Sequence, residues 1–396
     1  MALSDANTVV LRGMAWNHVR GYGPMLALSE QFHKTHPRVS IVWDKRSLKD
    51  FGDVPVPQLA ERYDLLLIDH PHVGLCADRQ ALVPLDDWIP ETWLREQRKH
   101  SVGPSHESYC WNGRQWALAV DAAAQVASCR PELMAPHPWP RTWNEVMELS
   151  RSLPAGRKVG WPLCPTDAMC SFLTLCAGGG TKNWFDETHG IAPDVGQSAL
   201  ELMFSFVPVL HPASLESNPI RMYDMMAQSD EIAYVPLAFG YSNYAREGFA
   251  RARLRFGNIP SVSGIPEGSL LGGVGLAVSA RTKQVPLAVD FAMLAAGGDT
   301  QRTVYFDAGG QPGHLSAWRD ERVNRESGGF FRDTLPTLEL SFMRPRIPCF
   351  PAFQEQLGDR LHEALLRKFR GQTADAAAIM ADLNRLYRNV RRSYEA

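Results

Sequence analysis

The sequence lacks an excess of charge of either sign. Its 396 residues carry 41 Lys and Arg against 43 Asp and Glu, a net charge of -2. A chain with no basic surplus and no polybasic block is poorly suited to nucleic acid or to an anionic membrane surface. No run approaches the roughly 20 apolar residues that a membrane-spanning helix needs. Near the start, Ser4, Asp5, Asn7 and Thr8 break up any apolar stretch, so the basic and apolar regions of a secretory signal are missing. Cysteine is sparse and odd in number, seven in all, at positions 76, 110, 129, 164, 170, 176 and 349. With no Cys-x-x-Cys pair, these thiols are expected to be free in a reducing compartment. The expected location is therefore the cytoplasm, or the periplasm if a native signal has been removed. Gly-x-Ser-x-Gly and His-Glu-x-x-His are both absent. No glycine fingerprint follows a strand and opens a helix, so a dinucleotide is not expected, nor is any other cofactor or metal. A small molecule or another protein is the partner that remains.

What is present is an ordinary globular composition, 45% hydrophobic and 21% charged, long enough for about two domains. The first segment alternates in period. TVVLRGMAW (8–16) reads as a strand, GPMLALSEQFHKTHP (23–37) as a helix stopped by Pro37, and VSIVWD (39–44) as a strand. PVPQLAERY (55–63) reads as a short helix and DLLLIDHP (64–71) as a third strand. Continuous apolar strands separated by helices predict a parallel sheet covered on both faces. CWNGRQWAL carries a hairpin turn at Asn112-Gly113, and ALAVDAAAQVASC (117–129) reads as a crossing strand. PRTWNEVMELSRSL (140–153) has Thr142 and Glu145 in capping-box positions. Residues 194–210 predict a helix, 231–241 a strand, 272–283 a glycine-led strand and 285–298 a helix ending in glycine. Two amphipathic helices close the chain.

Four stretches in order resemble the family 1 extracellular solute-binding proteins of ABC importers, the maltose-binding-protein type. They are VVLRGMAW with FHKTHPRVSIVW, then YDLLLIDHPHVGLCADRQALVPLDDWI, then LLGGVGLAVSARTK, then the C-terminal PCFPAFQEQLGDRLHEALLRKFRGQTADAAAIMADLNRLY. The resemblance covers nearly the whole chain. It implies an α/β, two-lobe periplasmic-binding-protein-like fold, each lobe a doubly wound, mostly parallel sheet, with ligand held in a cleft between lobes. The expected lobes are discontinuous, 1–121 with 275–327 and 122–274 with 328–396, hinged by crossing strands. The family normally carries an export signal. An ABC permease is an expected partner only if the chain is exported.

In open parallel sheets ligands sit beyond the carboxyl ends of the strands. The residues after each predicted strand are therefore the expected ligand contacts. After the first strand these are Trp16 as a flat face and Asn17 and His18 as hydrogen-bonding groups. Arg20 adds donors, and a helix start at Gly23-Pro24 would favour an anion. After the second strand Arg46 and Ser47 could grip a carboxylate. After the third come Asp69 and His70, in Asp69-His70-Pro71-His72. That run could also place two imidazoles together for a metal, or let Asp69 cap a helix. Asp121, between apolar residues on the crossing strand, must be paired or bound. In the second lobe Gly240, Tyr241 and Tyr244 end a strand, and Gly272 with Gly273 bare backbone N–H groups. Packing or a solvated loop is the competing reading for each, with a structural ion pair for Asp121. His314 and Arg344 are weaker candidates.

Two functions follow. One is hinged binding of a sugar-like ligand or small organic acid. The other is a cofactor-free isomerase, lyase or hydrolase of a small carboxylate on the same scaffold, with His70, Asp69, His18 and Asp121 as its acid and base groups.

Overall fold

The computed structural model describes residues 8–46, 55–181 and 183–395. In chain order the main elements are β1 (Val9–Trp16), α1 (Val19–Thr35), β2 (Val39–Arg46), α2 (Val56–Ala60), β3 (Leu65–Ile68), α3 (Val73–Asp78) and α4 (Glu91–Lys99). Next come β4 (Leu118–Cys129), α5 (Trp143–Ser152), β5 (Lys158–Val159), α6 (Pro165–Ala177), α7 (Pro193–Phe206), α8 (Pro219–Gln228), β6 (Ile232–Phe239) and β7 (Arg255–Gly257). β8 (Leu271–Val278), α9 (Val285–Ala296), α10 (Phe330–Glu339), α11 (Phe350–Phe369) and α12 (Ala376–Glu395) complete the chain.

The chain divides into two compact units. Unit 1 holds the described residues of Met1–Ala122, Gly272–Val323 and Pro345–Pro348. Unit 2 holds those of Ala123–Leu271, Asn324–Arg344 and Cys349–Ala396. β4 runs from one unit into the other at Ala122–Ala123.

In unit 1, β1 lies between β2 and β3 and is parallel to both, and β8 pairs antiparallel with β3. All four residues of β3 are buried. Alternation sends Leu65 and Leu67 to a core with Leu28 and Phe32 of α1 and Phe291 of α9. It sends Leu66 and Ile68 to a second core with Val56 and Leu59 of α2 and Cys76 of α3. That is why β3 reads as an unbroken apolar run: both its faces are covered. The Asn112-Gly113 turn joins the short paired strands Cys110–Trp111 and Arg114–Gln115. Both turn residues have positive φ, 49° and 73°, as a tight hairpin turn requires.

In unit 2, β6 pairs parallel with β5 and antiparallel with β4, and β7 also pairs antiparallel with β4. α5 starts on the predicted capping box: the Thr142 hydroxyl accepts from the Glu145 N–H, and the Glu145 carboxylate accepts from the Thr142 N–H at 3.0 Å. Trp143 of α5 stacks on Trp161 at 5.1 Å, and Phe206 of α7 meets both rings edge-on.

Three boundaries differ from expectation. α1 begins at Val19, not Gly23, because the His18 side chain supplies the N-terminal acceptor, and Pro24 is carried inside the helix. β2 continues through Arg46, which therefore ends a strand and does not sit in a loop after it. Beyond the Gly297 end of α9 the chain continues into a π-turn, Gln301–Tyr305.

Candidate functional site

Three parallel strands end together in unit 1, and their last residues form the site. The last residues of β1 and β2, Trp16 and Arg46, are register partners, and the Asn17 N–H donates to the Arg46 carbonyl at 2.7 Å. Asn17 is exposed, while His18, Arg46 and Asp69 are half-buried. Ser47 lies outside the described residues. Trp16 does not offer a free ring face. It is only 4% exposed, and a Cβ on Gly21 of α1 would sit 2.4 Å from the ring, so glycine there lets the helix close over it.

His18 Nδ1 accepts from the Arg20 N–H at 3.1 Å. Burial first, and then the Arg20 charge, pull its pKa down to about 4. His18 is therefore a neutral acceptor at the start of α1 at neutral pH. Arg20 turns inward. Its Nε donates to one Asp121 carboxylate oxygen at 2.7 Å, and a terminal nitrogen donates to the other at 2.5 Å. Both side chains are buried. Burial pushes the Asp121 carboxyl up and Arg20 opposes it. Asp121 is thus ion-paired, with each of its oxygens accepting from a partner 101 residues away.

Around this pair the backbone is packed closely. Gly273 has φ +90°, and a Cβ there would lie 2.2 Å from the Asp121 carbonyl oxygen. Its glycine is required by this approach and by the backbone conformation. Gly272 is buried beside it on β8. The Gln311 side chain donates to the Ala122 carbonyl at 2.9 Å, and Asp121 bridges to Pro312.

Asp69 caps a single 3-10 turn, His70–His72, by accepting from the His70 N–H at 3.0 Å, and lies 3.4 Å from His70 Nδ1. His70 is fully buried, with its ring edge-on to Tyr109. The two histidines are not on an extended segment. With about three residues per turn, positions i and i+2 point apart, so the His-x-His pairing imagined for a metal does not form. Among the described residues no three His, Cys, Asp or Glu are grouped to hold a metal ion.

In unit 2 the strand-end residues pack inward. The Gly240 N–H donates to the Ala124 carbonyl at 3.2 Å, and a Cβ there would lie 2.8 Å from both Phe330 and Val126. Tyr241 and Tyr244 flank Tyr223, with ring centres 6.4 and 5.3 Å away. The Tyr244 hydroxyl donates to Asp224 at 2.6 Å. His314 and Arg344 have local partners: His314 stacks on His100 at 5.0 Å, and Arg344 donates to Gln354 at 3.1 Å.

One buried acid escaped the sequence reading. Asp167, in the first turn of α6, is 5% exposed, and its carboxylate accepts from the Cys164 thiol at 3.0 Å. Burial raises its pKa to about 7, with Cys164 opposing. An acid two residues after the proline that opens an otherwise apolar helix, PTDAMCSFLTLCA, was the available signal.

No protein-family model matches the chain. Solved structures do. Maltose-bound MalE3 of T. maritima is 16% identical with a TM-score of 0.81, covering 97% of this chain and 100% of its own. A solute-binding protein of an ABC transporter from Agrobacterium radiobacter K84, in complex with ribitol, is 18% identical with a TM-score of 0.79, covering 97% and 99%. One from Thermotoga lettingae with bound α-D-tagatose is 16% identical with a TM-score of 0.79, covering 96% and 100%. At these identities the likeness speaks for the fold, and it extends over both units. The chain is similar throughout its length to the maltose-type solute-binding proteins of ABC transporters, and it has their two-lobe α/β fold.

Proposed function

We propose that this protein binds a small polar ligand, sugar- or polyol-like or a small organic acid, by hinged closure of its two units on it. The observation that carries this reading is the shared carboxyl edge of β1, β2 and β3. There Asn17, His18, Arg46 and Asp69 supply donors and acceptors at the position where open parallel sheets receive ligands. The fold supports it, since the similar structures were solved with maltose, ribitol and tagatose. In unit 2 the proposed contacts are Gly240, Tyr241 and Tyr244, with Asp167 added.

The alternative, enzyme reading rests on His18, Asp69, His70 and Asp121, the last of them ion-paired with Arg20. An ABC permease as acceptor of the ligand is part of the binding proposal only for an exported chain. A cytoplasmic location is proposed on the cysteine pattern of the sequence, seven in number and without framework spacing.

The test is a thermal-shift panel of maltose, ribitol, mannitol, tagatose and small carboxylates. At 100 times Kd a ligand adds about 2.7 kcal/mol of stability. Asp69→Ala and Asn17→Ala are expected to remove most of that shift; the unliganded midpoint should stay within about 2 °C for exposed Asn17 and fall by about 2–4 °C for Asp69, which caps the 70–72 turn. A hit whose shift survives both substitutions would move the site elsewhere.

A further inference from the structure

We propose that unit 2 carries a second binding site, for a small organic ammonium with an apolar body. It lies in a cavity of about 340 Å³ within that unit. The volume is within the usual range for small-molecule pockets. The wall is built from the start of α5 (Trp143), the end of α6 (Thr174 to Gly179), the first turns of α7 (Asp194 to Leu202) and the loop 259–267. Neither Gly240, Tyr241, Tyr244 nor Asp167 lines it, so it is separate from the site proposed above.

Its charge is one-sided. Among the described lining residues the only charged groups are two carboxylates, Asp194 and Glu267. The Glu267 carboxylate accepts from the Ser263 hydroxyl at 3.4 Å and pairs with no cation among the described residues. The C-terminal end of α6, a helix of 13 residues, also opens here, and its last carbonyls favour positive charge. Trp143 adds an aromatic group to the wall. The residue is 6% exposed and is packed against Trp161 and Phe206, so it offers the cavity only an edge. Two carboxylates without a cation among the lining residues attract an organic cation, and an apolar body would lie on Val195, Leu202 and Ile259 beside Trp143.

The test uses phenethylammonium as probe and neutral 2-phenylethanol as its control, followed by calorimetry on the full chain. The ammonium is expected to bind saturably and at least about tenfold more tightly than the alcohol, with affinity falling as salt rises. The double substitution Asp194→Asn and Glu267→Gln should weaken it about tenfold or more. Asp194 is exposed and Glu267 half-buried, so an unchanged circular dichroism spectrum is expected from that variant. Trp143→Phe keeps the ring and should weaken binding less. Equal affinity for amine and alcohol, no saturation, or full binding by the double variant would each overturn the proposal. A polyol shift in the thermal panel is expected to persist in the double variant, which separates this site from the first.

Discussion

Replacing Asp121 by alanine should be the most damaging single change in unit 1. The substitution removes one half of a buried ion pair: Arg20 is 4% exposed, and its two hydrogen bonds to the carboxylate vanish. Breaking such a pair typically costs about 3–5 kcal/mol, because the remaining charge stays out of water. At about 2–4 °C per kcal/mol for a unit of this size, the unit-1 transition should fall by roughly 6–20 °C. Arg20→Met should be costly too, but the double variant Arg20→Met with Asp121→Ala should recover part of the loss, since neither charge is then left buried. Calorimetric unfolding of the four proteins gives the coupling directly. A fall of less than about 2 °C for Asp121→Ala, or strictly additive effects, would show that the pair is solvated and that the structural assignment of Asp121 is wrong.

Two pH predictions of opposite sign separate the units. In unit 1, His18, His106 and His314 are each held near pKa 4, with burial as the largest cause. The unfolded chain takes up these protons near pH 6.5 and the folded chain does not, so this stability is complete above pH 6.5 and is lost as pH falls towards 4. For His106 the loss reaches about 3 kcal/mol. Urea unfolding of His106→Gln at pH 7 and pH 4.5 should show a smaller drop than wild type, and an equal drop would refute the assignment. In unit 2, Asp167 is raised to about 7, so its contribution is complete below pH 3.8 and is lost as pH rises towards 7. Asp167→Asn should therefore match wild type near pH 4 and exceed it at pH 8, by up to about 4 kcal/mol. A gap that does not change with pH would show that the carboxyl is not buried as described.

Local patterns carried much of the architecture. The apolar run of β3, the Thr142–Glu145 capping box, the Asn112-Gly113 turn and the two terminal helices depend on residues within a few positions of one another, so each was legible without tertiary context. The parallel sheet of unit 1 followed from the same logic, because a strand buried on both faces must be apolar throughout. The helix start at Val19 was missed because histidine is a less usual capping residue and Pro24 suggested a first turn.

The site was legible only in outline. That polar residues follow β1, β2 and β3 is a property of the sequence alone, and so is the balance of charge that turns attention to small ligands. Which of those residues face a ligand depends on partners far along the chain. Arg20 meets Asp121 across 101 positions, and Gly273 rests on the Asp121 backbone. Asp167 and the acid-lined cavity in unit 2 arise from helices and a loop more than 80 residues apart in sequence from end to end. Local preference and periodicity act over a few residues and write themselves into sequence. Burial, ion pairing and cavity shape are made by long-range packing, and only the folded chain decides them.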